Sequence, residues 1–121
     1  MPREPKNGER DTALLLDMLL AAQDAISFVA AMSEAEFNEA RLQQNAVIRS
    51  LEVIGEAAGK VSDSFRSAHD AIPWREIIAT RHRLIHGYAD VRLDVVWRVV
   101  RDQLPTLVGA LRPLVPKDAG S

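Results

Sequence analysis

Trp74-Arg75-Glu76-Ile77-Ile78-Ala79-Thr80-Arg81-His82-Arg83-Leu84-Ile85-His86-Gly87-Tyr88 is the stretch around which the rest of the chain is organised. Set out at about 100° per residue, Trp74, Ile77, Ile78, Leu84, Ile85 and Tyr88 fall on one stripe with Arg81 in its middle. His82 and His86 share a neighbouring face with Arg75, four residues being just over one turn. The spacing predicts a helix from Trp74 to about His86, stopped by Gly87. Pro73 suits the first position of that helix, where its missing N–H costs nothing. A guanidinium turned toward the apolar side of its own helix needs a partner, because an unpaired buried charge is very costly. The partner is either an internal carboxylate or an external anion such as phosphate; the first would be structure and the second function.

Upstream, Asp11 or Thr12 is a suitable cap for a first helix. That helix carries two apolar stripes: Leu15, Met18, Leu19, Ala22, Ile26 and Val29 on one side, Leu14, Ala21, Ala25, Phe28 and Met32 on the other. Two stripes predict contact on two sides, deep in a bundle or across a dimer interface. Ser33 followed by Glu36 is a capping-box pattern opening a second helix that runs to Val61 through Val47, Leu51, Ile54 and Ala58. Gly55 and Gly59 weaken that helix by roughly 1 kcal/mol each relative to alanine, but small residues four apart permit close approach of a neighbour. Arg49, Glu52 and Glu56 lie along one side of it. They read either as a solvated, salt-bridged face or as carboxylates that orient Arg81.

Residues 62–72 read as a connector with one short turn near Phe65 and a solvated loop histidine, His69. Downstream, a fourth helix runs from about Leu93 through Val96, Trp97, Val100, Leu104, Leu107 and Leu111, with a kink or local break expected at Pro105. No stretch alternates apolar and polar residues as a half-buried strand would. The expected fold is all-α, a bundle of four main helices over residues 11–114, with a flexible N-terminus over 1–10 and a flexible tail over 115–121.

Composition narrows the function. The 121 residues carry a net charge of −2 and no cysteine, so disulfides, thiolate nucleophiles and zinc ribbons are absent, and a cytoplasmic setting is permitted. Only 5% of residues are aromatic, too few for general stacking platforms on single-stranded nucleic acid. Anion binding must be local, and the run Arg81 to His86 contains no acidic residue. The polar start with Pro2 and Pro5 is unlike a signal peptide. Ala13 to Met32 is interrupted by Asp17 and Asp24, which argues against a membrane span.

His82 and His86 at i, i+4 are able to bind one divalent ion from a single face, but no local motif places the further ligands, so no metal is assigned. The same residue types suit phosphate chemistry. Histidine serves as acid or base near neutral pH, and arginine presents a fixed fork to phosphate oxygens. The 2′-hydroxyl of RNA would supply the nucleophile, so a bare Arg/His site favours RNA over DNA. On a regular helix Arg81 and His86 sit about 140° and roughly 7–8 Å apart. One phosphate meets both only if they lean over the helix end or a second subunit contributes.

The run Ile72-Pro73-Trp74-Arg75-Glu76-Ile77, then Arg81-x4-His86-Gly87-Tyr88, then Asp94-Val95-Val96-Trp97, resembles the HepT-like ribonuclease toxins of the HEPN superfamily, as does Leu51-Glu52-Val53-Ile54-Gly55-Glu56-Ala57-Ala58. The resemblance spans about residues 11 to 112. The family signature, Arg-x4-His-x-Tyr, is met by Arg81, His86 and Tyr88, with His82 where asparagine or aspartate is common. The resemblance implies an all-α HEPN-like homodimer whose two Arg/His sets share a cleft and cleave RNA without a metal or cofactor. It implies Arg81 and His86 as catalytic residues, with His82 as an assisting group. Arg75 and Arg83 read either as ordinary surface charges or as RNA contacts that steer its backbone. The resemblance further implies a toxin of a toxin–antitoxin system, silenced by a minimal nucleotidyltransferase antitoxin that adds AMP to Tyr88. Bulk and negative charge there would occupy the place of the RNA phosphate.

Two rival readings use the same residues. In one, the helix end is a non-catalytic module that holds nucleotide or the nucleotidyltransferase. In the other, the chain is a structural dimerisation bundle with Arg81 paired internally to Glu52 or Glu56.

Overall fold

The computed structural model describes residues 7–86 and 91–117. The elements follow one another as α1 (Asn7–Phe28), α2 (Glu34–Glu39), α3 (Arg41–Lys60), α4 (Asp63–Ala68), α5 (Trp74–His86), α6 (Leu93–Arg98), a π-turn (Val99–Gln103), α7 (Leu104–Leu111) and a final 3-10 turn (Arg112–Leu114). No strand occurs among the described residues, so the fold is the all-α bundle that the periodicity predicts. Nor is any described helix long and apolar enough to cross a membrane.

Helix α1 begins at Asn7, not at Asp11 or Thr12. Asp11 is not a cap: it is 5% exposed, and its carboxyl oxygens accept from the Ser62 N–H at 2.9 Å and the Ser62 hydroxyl at 2.6 Å. A long-range demand thus takes the side chain that local sequence offered to the helix start. Residues 1–6 and 118–121 lie outside the described residues. Val115, assigned to the tail, is buried against the core.

The single second helix is in fact two. Ser33 and Glu36 form the expected reciprocal capping box of α2, but at Ala40 the backbone leaves the helical region, with φ −104° and ψ 79°. Phe37 is fully buried there. The Gln44 amide donates to the carbonyls of Phe37 and Asn38 at 2.9 and 3.1 Å, replacing intrahelical bonds that the break removes. The connector after Val61 winds into α4, capped by Ser62. His69 is not simply a solvated histidine, for it stacks on Phe65 with ring centroids 4.2 Å apart, and its carbonyl accepts from the Trp74 indole at 3.0 Å. Pro73 stands just ahead of α5, its carbonyl accepting from Ile77, a one-residue difference within the usual scatter of helix ends.

The fourth helix stays helical from Leu93 to Leu111 but widens at its centre. Pro105 lacks an N–H, and its ring crowds the carbonyl four residues back. The chain answers with the π-turn, closed by the Leu104 N–H to the Val99 carbonyl.

Helix α3 lies between α1 and α5, α7 packs on α1, and α6 leans on α2. Their shared core includes Leu15, Met18, Val47, Leu51, Ile54, Ala58, Leu84, Val100 and Leu111. Helix α5 is held chiefly by α3. Its flank toward α6 and α7 is open as two adjoining cavities of about 570 and 400 Å³, which share Leu51, Thr80 and Val99 as walls.

Candidate active site at the end of helix α5

The apolar stripe of α5 meets α3 as its spacing predicts: Trp74 and Leu84 are buried, and Ile77 and Ile78 are half-buried against the core. Arg81 lies on this same inward face, where its side-chain stem packs against Gly55 of α3. The residue remains partly exposed, but its Nε is buried and has no hydrogen-bond partner. Buried donors are rarely left in this state, since the unmade bond costs about 1–3 kcal/mol.

Glu52 and Glu56, the carboxylates within one turn of Gly55, are engaged elsewhere. Glu52 approaches Arg49 at 3.6 Å and Glu56 approaches Lys60 at 3.3 Å. Both are local pairs along α3, and neither glutamate forms an ion pair with Arg81 among the described residues. The solvated-face alternative therefore describes these two residues, and the orienting contact to Arg81 is not formed.

His82 and Arg83 are exposed and stand on the rim of the larger cavity with Thr80 and Leu84. Across it are Val91, Arg92, Val95 and Val96. Arg81 is not among the residues lining that cavity; its stem packs against α3 instead. Arg75 is exposed at the far end of the helix, beside Asp63, Arg66 and Asp70. It is thus two turns, roughly 12 Å, from Arg83. His86 is the last residue of α5. Its side chain, Gly87 and Tyr88 lie outside the described residues. Among the described residues no three His, Asp or Glu side chains gather as a metal site.

Sequence reading treated residues 89–92 as a link and missed Arg92. Its guanidinium grips Asp94 two-handed, Nη2 to Oδ2 at 2.8 Å and Nε to Oδ1 at 3.2 Å. That hydrogen bond holds the Asp94 carboxyl below its ordinary value. The signal was an acid in the first turn of α6 with an arginine two residues before it.

The structure defines a class: a small all-α bundle whose fifth helix turns an arginine inward, with no ion pair to it among the described residues, and carries two histidines toward its C-terminal end. The family model described as "Ribonuclease HepT-like" matches residues 18–114. Relatives include "Putative RNase MJ1380" of Methanocaldococcus jannaschii, 35% identical over 78% of this chain and 87% of that protein. "Putative RNase MJ0127" of the same organism is 33% identical over 92% and 90%. "Probable ribonuclease HepT" of Thermococcus cleftensis is 44% identical over 59% and 64%. No solved structure matches the chain significantly. The chain belongs to the HepT-like ribonuclease family.

Proposed function

We propose that the protein is a metal-independent endoribonuclease, the toxin of a toxin–antitoxin pair, with Arg81 and His86 as its catalytic residues. The observation that carries this reading is Arg81: its Nε is buried without a partner, while the nearby carboxylates are spent on Arg49 and Lys60. A cation so placed has an acceptor to gain from an incoming anion, and a phosphate offers oxygens that match the guanidinium fork.

In the reaction, Arg81 holds the non-bridging oxygens of the scissile phosphate and stabilises the charge that builds on them. A histidine takes the proton of the 2′-hydroxyl as the 2′-oxygen bonds to phosphorus. A second histidine protonates the departing 5′-oxygen as its bond to phosphorus breaks. The products are a 2′,3′-cyclic phosphate and a 5′-hydroxyl. His86 fills one of these roles with His82 assisting, and a homodimer supplies two Arg/His sets to one cleft. Arg83 and Arg75 contact the RNA backbone. Addition of AMP to Tyr88 by a nucleotidyltransferase antitoxin silences the site.

Cleavage of RNA by the purified protein in chelator, compared with His86→Ala, tests the core of this. The wild type cleaves, and the variant loses about 10²–10⁴-fold in rate. An equally active variant removes His86 from the mechanism. RNA binding without cleavage by the wild type would identify a non-catalytic module instead.

A further inference from the structure

The atoms nearest to any side chain built on Gly55 belong to Arg81 of α5. A methyl group built on Gly55 would overlap the Cβ of Arg81 and lie 3.2 Å from both its Cγ and its Cδ. A Cβ is carried by the backbone, so no rotamer change relieves that overlap; only moving α5 away from α3 does. Gly59, one turn further along α3, has nothing within 4 Å of such a methyl. Of these two glycines, it is Gly55 that the arginine packs against.

Because the stem of Arg81 lies directly on the α3 backbone, its Nε is carried to a depth where water does not reach it and nothing bonds to it. A planar guanidinium takes its direction from the Nε end. The depth of the stem thus aims the rest of the fork. We propose that Gly55 is a positioning residue: its missing side chain seats Arg81 at the depth and angle from which it grips the scissile phosphate. This rests on the ribonuclease reading above. Gly55 itself touches no substrate.

The experiment compares wild type, Gly55→Ala and Gly59→Ala by RNA-cleavage kinetics, thermal melting and the ¹⁵N–¹H signal of the Arg81 Nε–H. The wild type shows a slowly exchanging Nε–H, as its burial requires. Gly55→Ala loses that signal to solvent exchange, and kcat falls about 100-fold with KM unchanged, the scale of a small misplacement of a catalytic group. Gly59→Ala keeps both the signal and the rate. A folded Gly55→Ala that retains the wild-type kcat or the slow signal overturns the proposal, as does a wild-type Nε–H that exchanges freely. Should the wild type cleave no RNA, the ribonuclease reading fails, and the Nε–H signal still decides whether Gly55 seats the arginine. Should Gly55→Ala not fold, Gly55→Ala with Arg81→Gly removes the overlapping Cβ: recovery of the fold supports the contact, and continued unfolding overturns it.

Discussion

At the scale of single residues, Arg81 and Asp11 show opposite ways of burying a polar group. Asp11 is satisfied, with one oxygen on the Ser62 backbone N–H and the other on its hydroxyl. These bonds tie the first turns of α1 to the cap of α4. Asp11→Ala is expected to cost about 2–3 kcal/mol, the scale of hydrogen bonds to a carboxylate, read as a lower urea midpoint. Arg81 keeps a buried donor with no hydrogen-bond partner, a stability cost that an incoming phosphate offsets on the proposed reading. On that reading Tyr88, which lies outside the described residues, is the acceptor of AMP. Tyr88→Phe keeps RNA cleavage but takes up no label from radioactive ATP in the presence of the nucleotidyltransferase; labelling at the wild-type level would remove it as the acceptor.

Among the elements, α2 depends on its cap more than its length, since six residues are far too few for a helix to persist unaided. Ser33→Ala is expected to cost about 1 kcal/mol. The Ser33 N–H, and then its hydroxyl, hold the Glu36 carboxyl below its ordinary value of 4.5. A folded value below the unfolded one means stabilisation that is complete above the unfolded value and is lost as pH falls through the folded value. Denaturation of wild type and Glu36→Ala across pH therefore shows a stability difference at neutral pH that closes below about pH 4.5. Helix α5 has a different logic. It is anchored by one face to α3, and its other flank borders two cavities.

For the whole molecule, a net charge of −2 means RNA is attracted by a local site and not by the surface at large. If Arg75, Arg81 and Arg83 each neutralise one phosphate, log Kd should change with log salt with a slope of magnitude about 2, at roughly 0.7 per contact for a single strand. Arg83→Gln should lower that magnitude by about 0.7 and weaken binding alike for all sequences. A slope indifferent to Arg83 would take it out of the interface. Titration of a catalytically dead His86→Ala protein with a labelled oligonucleotide measures this without cleavage.

Local forces decide the all-α class, the capping box at Ser33, the limits of α5, the inward turn of Arg81 and the disturbance ahead of Pro105. Periodicity, capping and the proline ring act within a few residues, so they are written in the nearest neighbours. Long-range packing alone makes Asp11 serve Ser62 instead of capping α1, and Gln44 take over carbonyls at a break near Ala40. It also decides that Glu52 and Glu56 stay with Arg49 and Lys60, and that Gly55 rather than Gly59 receives Arg81. Each of these is a choice among partners that local pattern makes equally available, and it is settled by which helix faces are brought within bonding distance when α3 packs between α1 and α5.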